Sequence, residues 1–448
     1  MARKVFISVL GFSNYGECIY IKDDYKSSPV RFIQEATLDY LQSIETWTSN
    51  DVAYILLTKG AEKVNWYDDG HNDRNTGEVI KCQGLCSRLQ SMQLPFDVVP
   101  IKSLPHGNSE EEIWEIFERI FTHLQEGDEL YFDLTHGFRY LPMLVLVLIN
   151  YSKFLRNTKV CSITYGNYES RNAENEAPII DLLPLSVLQD WTFAAGQYLD
   201  SGSVSRLVRL SSEKIDPILK HSKGTDAEAS ALKQFIKALD ASIEDMQTCR
   251  GVNIVEAANI SKMKKFEAML QSTFIKPLNP IFENIKYTIK DFSEGPDIAN
   301  GFVAARWCSD NGLYQQAITI LQENIVTLLC SEHNLNYKDE KQREPVNKAF
   351  AIHEKNIQEA EWAFSSSMTD EDVIKQKEII REILSSPSMT LFSGIFSVCT
   401  EIRNDINHSG MRCNPAKASR LKERIQSIIR DVCKIVYNEK SNTSIHAN

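Results

Sequence analysis

The stretch that most constrains this chain is Tyr131-Phe132-Asp133-Leu134-Thr135-His136-Gly137-Phe138-Arg139-Tyr140-Leu141-Pro142. Leu130 to Leu134 is an apolar run broken by one carboxylate, and Thr135, His136 and Gly137 end it. Pro142 suits the first turn of a helix, where its missing N–H costs nothing. The run Met143 to Ile149 is apolar on every side, which is the pattern of a buried helix. The segment therefore reads as strand, tight polar turn and helix. In open α/β sheets, ligands bind at the carboxyl ends of strands, and free N–H groups at the helix start favour anions. His136 and Arg139 add donors there. The same spacing also fits an ordinary strand-to-helix turn, with a solvated histidine and an arginine paired to a surface acid.

The neighbouring segments repeat the pattern. Val5 to Leu10 reads as a first buried strand, followed by the loop Gly11-Phe12-Ser13-Asn14-Tyr15-Gly16. The full G-x-G-x-x-G fingerprint is absent, so no dinucleotide cofactor is expected. Cys18 to Lys26 fits a short hairpin turning at Asp23-Asp24, and Pro29 leads into an amphipathic helix. A second strand, Val52 to Leu57, ends in Thr58-Lys59-Gly60-Ala61, again suited to an anion. Trp66 to Glu78 reads as a polar surface insertion and Cys82 to Met92 as a helix. A third strand, Phe96 to Ile101, closes with Leu104-Pro105-His106-Gly107-Asn108. Ser109 and Glu112 form a capping box for a helix through Leu124. Further strands are expected at Lys159 to Tyr165 and Ile179 to Leu183. This alternation implies a mostly parallel, doubly wound sheet. Its small polar turns at Ser13-Asn14, Thr58-Lys59, His106-Gly107 and Thr135-His136 would gather at one edge.

With 448 residues, two or three domains are expected. The net charge of −11 argues against a broad non-specific nucleic-acid binder but leaves room for a local basic pocket. No apolar run reaches the ~18 residues of a membrane span. The first residues lead directly into a strand, so no signal peptide is expected. The ten cysteines are scattered, with Cys82 and Cys86 the only close pair. No zinc pattern results, and reduced thiols of a cytoplasmic protein are expected.

From about Leu185 the strand signal ends. Helical periods run over 190–199, 204–220, 226–246, 254–274, 296–309, 312–330, 370–384, 391–408 and 415–437. His333 to Pro345 and Ser365 to Thr369 read as polar connectors, and Pro277 and Pro280 as a break. Near the end stands Glu401-Ile402-Arg403-Asn404-Asp405-Ile406-Asn407-His408-Ser409-Gly410. Gly410 is a natural helix stop. Helical geometry puts Asn404 and His408 about 40° apart and Arg403 roughly 140° from His408. Arginine can stabilise charge on phosphoryl oxygens, and histidine can move a proton near neutral pH. Asparagine can orient either group. An arginine followed by a histidine at this spacing also arises by chance, and a histidine at a helix end has a plain electrostatic role.

Asp-Leu-Thr-His-Gly-Phe-Arg followed by Leu-Pro resembles the signature of CARF domains (CRISPR-associated Rossmann fold) in type III CRISPR accessory proteins. Gly11, Ser13, Tyr15, Thr58 and Lys59 occupy the family's other turn positions. Arg403-Asn404-x-x-x-His408 resembles the active-site motif of HEPN ribonucleases. In the CARF–HEPN accessory ribonucleases of the Csx/Csm type, that motif stands C-terminal to a CARF half, as it does here.

The resemblance implies an α/β Rossmann-like (CARF) domain with a mostly parallel sheet, followed by an all-α HEPN-like domain. It implies a cytoplasmic homodimer that binds cyclic oligoadenylate as allosteric activator, cyclic tetra-adenylate being favoured over hexa-adenylate. The binding set would be Gly11, Phe12, Ser13, Asn14, Tyr15, Thr58, Lys59, Gly60, His106, Gly107, Thr135, His136, Gly137, Phe138 and Arg139. Arg403, Asn404 and His408 would cleave single-stranded RNA without a metal, leaving 2′,3′-cyclic phosphate ends. The expected divisions are a sensor at 1–184, a helical connector or subdomain at 185–290, an effector at 291–438 and a flexible tail at 439–448. Two alternatives stand beside this: a non-catalytic helical adaptor, and a sensor domain that itself degrades its cyclic ligand, with Ser13, Lys59 or backbone donors positioning the 2′-hydroxyl.

Overall fold

The computed structural model describes residues 2–443 except 74, 138, 270–278, 367 and 412; of residues 437–443 it describes the helical backbone only. The chain divides into two compact units, Met1–Val187 and Leu188–Asn448.

The first unit is built on β1 (Lys4–Leu10), β2 (Ile19–Lys22), β3 (Tyr25–Lys26), β4 (Val52–Thr58), β5 (His71–Asn72), β6 (Val79–Ile80), β7 (Asp97–Leu104), β8 (Glu129–Asp133), β9 (Lys159–Gly166) and β10 (Glu176–Asp181). Its helices are α1 (Ile33–Ile44), α2 (Lys59–Ala61), α3 (Leu85–Ser91), α4 (Glu110–Phe121) and α5 (Leu141–Arg156). Eight strands form one sheet in the order β3-β2-β10-β9-β8-β1-β4-β7. The five strands from β9 to β7 are parallel, and β10 runs antiparallel to β9.

Side chains alternate between two faces with the period of a strand. Val5, Ile7, Val9, Tyr54 and Leu56 pack with Ile116, Phe117 and Ile120 of α4 and Leu144, Val145 and Leu148 of α5. Phe6, Leu10, Ile55 and Leu57 pack with Leu38 and Leu41 of α1 and Leu85 and Leu89 of α3. Burial on both faces accounts for the unbroken apolar runs of β1 and β4. Strand order reverses at β1: β4 and β7 lie to one side, β8 and β9 to the other. The switch point therefore falls between the ends of β1 and β8.

The structure corrects several expectations here. α5 is not buried all round. Leu144, Val145, Leu148 and Ile149 face the sheet, while Met143, Val147, Tyr151 and Phe154 are exposed, Phe154 at 87%. The sheet covers one face of α5, and the opposite face meets solvent within this chain. The segment read as a surface insertion carries the buried Trp66, which ends a wide helical turn (Glu62–Trp66), and the small β5–β6 hairpin.

The second unit is all helical. Its elements are α6 (Leu183–Ser201, which begins in the first unit), α7 (Ser205–His221), α8 (Ala227–Gln247), α9 (Gly251–Glu256), α10 (Ala258–Glu267), α11 (Asn279–Tyr287), α12 (Ala299–Asp310), α13 (Tyr314–Glu332), α14 (Glu340–Lys355), α15 (Asp370–Ser385), α16 (Pro387–Asn407) and α17 (Ala418–Thr443). α13 is central and packs against α12, α14, α16 and α17.

The helix expected from 254 is interrupted at Ala257, whose φ is 53°. On either side of this break Asn253 and Asn259 both donate to Asp245, at 2.7 and 3.0 Å. The end of that expected helix, with Phe274 and Pro277, lies outside the described residues. Asn279–Tyr287 is helical although Pro280 suggested a break, because proline is tolerated in a first turn. The connector expected at His333 to Pro345 gives way to α14, which runs through Pro345 and is opened by the Asp339 carboxylate accepting from the Lys341 N–H. α17 continues into the stretch read as a tail, as far as Thr443. Among the described residues no single helix is long and apolar enough to cross a membrane.

Candidate functional site

At the switch point a buried carboxylate organises the turn. Asp133 ends β8 and is 1% exposed. Its Oδ2 accepts from Ser8 Oγ of β1 at 2.6 Å, and Gln34 Nε2 of α1 donates to Ser8 Oγ and to the Val9 carbonyl. Its Oδ1 accepts from the Thr135 hydroxyl and from the Thr135 N–H. Thr135 Oγ1 in turn accepts the N–H of Gly166 at the end of β9. Burial pushes the Asp133 carboxyl above its ordinary range, with the Ser8 and Thr135 hydrogen bonds opposing it. These bonds join β1, β8, β9 and α1 where the strand order reverses.

The turn reaches the β1 loop through His136, which stacks on Tyr15 with ring centroids 4.1 Å apart. His136 Nε2 is buried without a hydrogen-bond partner among the described residues, and desolvation pushes the imidazole down to about 4. Burial raises the Tyr15 phenol to about 12. A Cβ on Gly11 would sit 1.9 Å from the Tyr15 hydroxyl, so glycine is required for this ring to lie across the loop. Asn65 fixes the loop backbone: its Nδ2 donates to the Gly11 carbonyl at 2.9 Å and the Ser13 carbonyl at 2.8 Å. His71 Nε2 stands 2.8 Å from Asn65 Oδ1. On the α4–α5 side, the Tyr140 hydroxyl donates to the His106 carbonyl.

The expected ligand residues divide into two groups. Thr135 and Thr58 use their hydroxyls internally; Thr58 Oγ1 caps the Ala61 N–H at 3.2 Å. Gly11, Gly60, Gly107 and Gly137 shape turns; Gly107 has φ +71° and faces the Tyr140 ring. Phe12, Ser13, Asn14, Lys59, His106 and Arg139 are exposed. Phe138 lies outside the described residues. Because β8, β1, β4 and β7 are adjacent and parallel, their carboxyl-end turns share one edge of the sheet.

Asn65, Gln34 and Ser8 were not singled out from the sequence. The Asn65 bonds span more than fifty residues, so no local pattern announces them. Asp133 carried a visible signal, a carboxylate inside an apolar strand.

The second candidate group lies at the end of α16. Arg403 and Asn404 are in its last turns, and His408 is the residue after the helix, with φ −90° and ψ 13°. As the cap it still donates its N–H to the Asn404 carbonyl at 3.0 Å, so the helical spacing from Asn404 carries through to it. Arg403 Nη1 lies 3.4 Å from Glu323 Oε1 of α13, whose other oxygen accepts from Arg343 Nη2 at 2.8 Å. Asn404 and His408 are exposed. Asn407, next to them, accepts from Gln315 Nε2 at 3.1 Å. The helix stop expected at Gly410 begins one position earlier, with left-handed backbone at Ser409 (φ 55°) and then at Gly410 (φ 65°).

The first unit is thus a Rossmann-like domain with cation-bearing polar turns at its switch point, followed by an all-helical unit. Residues 5–169 match the family described as CRISPR system endoribonuclease Csx1, CARF domain. CRISPR-associated protein MJ1674 of Methanocaldococcus jannaschii is 25% identical over 242 residues, covering 52% of this chain and 34% of that protein. The chain matches about a third of the length of this curated relative. Together these similarities support a CRISPR-associated protein that contains a CARF domain.

Proposed function

We propose that this chain is a cyclic-oligoadenylate sensor of type III CRISPR defence whose helical unit is a metal-independent single-stranded endoribonuclease. The observation that carries the sensor half is the interlocked switch point: Asp133 and Thr135 fix the β8 turn, and His136 stacks on Tyr15 beside exposed donors of the β1, β4 and β8 turns. The exposed Phe12 ring of the β1 loop suits an adenine base, and lysine, arginine and turn N–H groups suit phosphodiesters. The exposed apolar face of α5, with Met143, Val147, Tyr151 and Phe154, supports pairing with a second copy.

In the effector half, Arg403 would stabilise the charge on the scissile phosphate as the RNA 2′-oxygen attacks phosphorus and the 5′-oxygen leaves. His408 would transfer the proton, and Asn404 would orient one of them. Exposure of Asn404 and His408 at a helix end supports a site completed by the partner copy. In this reading residues 291–438 are the effector and 185–290 connect it to the sensor at 1–184.

The test is cleavage of a fluorescent single-stranded RNA in EDTA, with and without cyclic tetra- and hexa-adenylate. Cleavage switched on by cyclic tetra-adenylate is expected, with 2′,3′-cyclic phosphate products. Tight binding of a ring without any cleavage would overturn the nuclease half and leave a sensor with an adaptor.

A further inference from the structure

Arg31 enters α1 after the β2–β3 hairpin, two residues before the helix starts at Ile33. It is 8% exposed. Its Nη2 donates to Asn14 Oδ1 of the β1 loop at 3.1 Å, and the guanidinium lies 5.3 Å from the Phe32 ring centre. Its Nε is buried and has no hydrogen-bond partner among the described residues. Among the described residues it forms no ion pair, whereas nearby Arg88 faces both Glu17 and Glu35. A guanidinium does not shed its proton, and a buried charge without a counter-ion is costly. The cation points at a loop that Asn65 pins in place. His71, which supports Asn65, is held below its ordinary value by burial and by the Arg31 charge.

Rossmann-like sheets commonly bind phosphate where the first strand turns into its helix, through a glycine-rich loop and the helix amino end. Here that turn is lengthened by a hairpin and lacks the glycine fingerprint. The chain instead returns to α1 with a buried cation that has no ion pair among the described residues, beside the loop.

We propose that Arg31, with Asn14, receives a phosphate group of the ligand bound at the switch point. This deepens the sensor reading above and rests on it.

The experiment compares wild type with Arg31→Met, which keeps the packing on Phe32, and Arg31→Lys. Affinity for cyclic tetra-adenylate is measured by calorimetry, and thermal unfolding is followed without ligand and with inorganic pyrophosphate. Arg31→Met is expected to bind the ring about 10- to 100-fold more weakly, with Arg31→Lys between. The unliganded Arg31→Met protein is expected to melt no lower than wild type, because the variant removes an uncompensated buried charge. If wild type ignores the ring but pyrophosphate stabilises wild type and not Arg31→Met, the sensor reading falls and the anion site stands. If neither probe distinguishes Arg31→Met from wild type, the proposal is overturned. A lower melting point with unchanged ring affinity also overturns it, assigning Arg31 a structural role.

Discussion

The two candidate sites are built in opposite ways. At the switch point the polar groups interlock: Ser8, Gln34, Asp133 and Thr135 bind one another while Asn65 and Tyr15 fix the adjoining loop. At the end of α16, Arg403 has one long ion pair among the described residues and His408 is exposed beyond the helix. A site that must hold a defined ligand gains from fixed geometry made before binding. A pair that acts only when a second copy and an RNA arrive gains little from being buried beforehand. Changes at these interlocked groups should therefore alter stability together with binding, and changes at the second site should alter turnover alone.

The sharpest test of that contrast is His408→Ala. RNA cleavage should fall about 10²- to 10⁴-fold, the range for removing a positioned proton-transfer group. Ring affinity should hold, and unfolding stability should stay within about 0.5 kcal/mol, as for an exposed side chain. Wild-type cleavage by this variant would remove His408 from the catalytic assignment.

Next in size is the pH response of the switch point. His136 is depressed from 6.5 to about 4, so the folded state favours neutral imidazole. That contribution is complete above pH 6.5 and is lost as pH falls towards 4. The displacement corresponds to about 3 kcal/mol. Asp133 works in the opposite sense, since its raised carboxyl favours folding towards acid and loses that contribution as pH rises. The informative curve is therefore the stability of wild type minus that of His136→Gln, measured by denaturant titration across this range. It should decline with acid only below about 6.5; a flat difference would mean that the imidazole is solvated.

Asn65→Ala probes the loop. Asn65 is 1% exposed, and its loss leaves the Gly11 and Ser13 carbonyls without this donor. A destabilisation of about 2 kcal/mol is expected, with weaker ring binding and RNA cleavage restored at saturating ring. Unchanged ring affinity would show that the β1 loop does not contact the ligand.

The parts of this design that follow local rules were legible in the sequence. Tyr131 to Pro142 announces strand, turn and helix through a change of period and a first-turn proline, and Arg403 to Gly410 announces a helix end. What the sequence concealed depends on distant partners. Asn65 matters because it meets carbonyls on the β1 loop, and nothing local to Arg31 announces its burial. The apolar run of α5 does not say which of its side chains find a neighbour within the chain. Ala257 and Pro345 defeat local rules for the same reason: packing holds a left-handed alanine and a proline inside a helix that propensity alone disfavours.

The smallest expected effect concerns Ser409, and it tests whether the second site is tolerant as its openness suggests. Ser409 adopts φ 55°, with its N–H donated to the Ile406 carbonyl at 2.9 Å, while Gly410 N–H reaches the Asp405 carbonyl at 2.8 Å. This is the bond pattern that ends a helix with a left-handed residue, a place where glycine is free of the Cβ penalty. Removing that penalty of about 1 kcal/mol should make Ser409→Gly slightly more stable, the gain being partly offset by glycine's greater freedom when unfolded. The hydrogen bonds that close the helix are backbone bonds and survive the change, so His408 keeps its position and cleavage should be unaltered. If cleavage falls while stability rises, the stiffness of the serine backbone itself holds His408, and the α16 end is a more prearranged site than its exposure indicates.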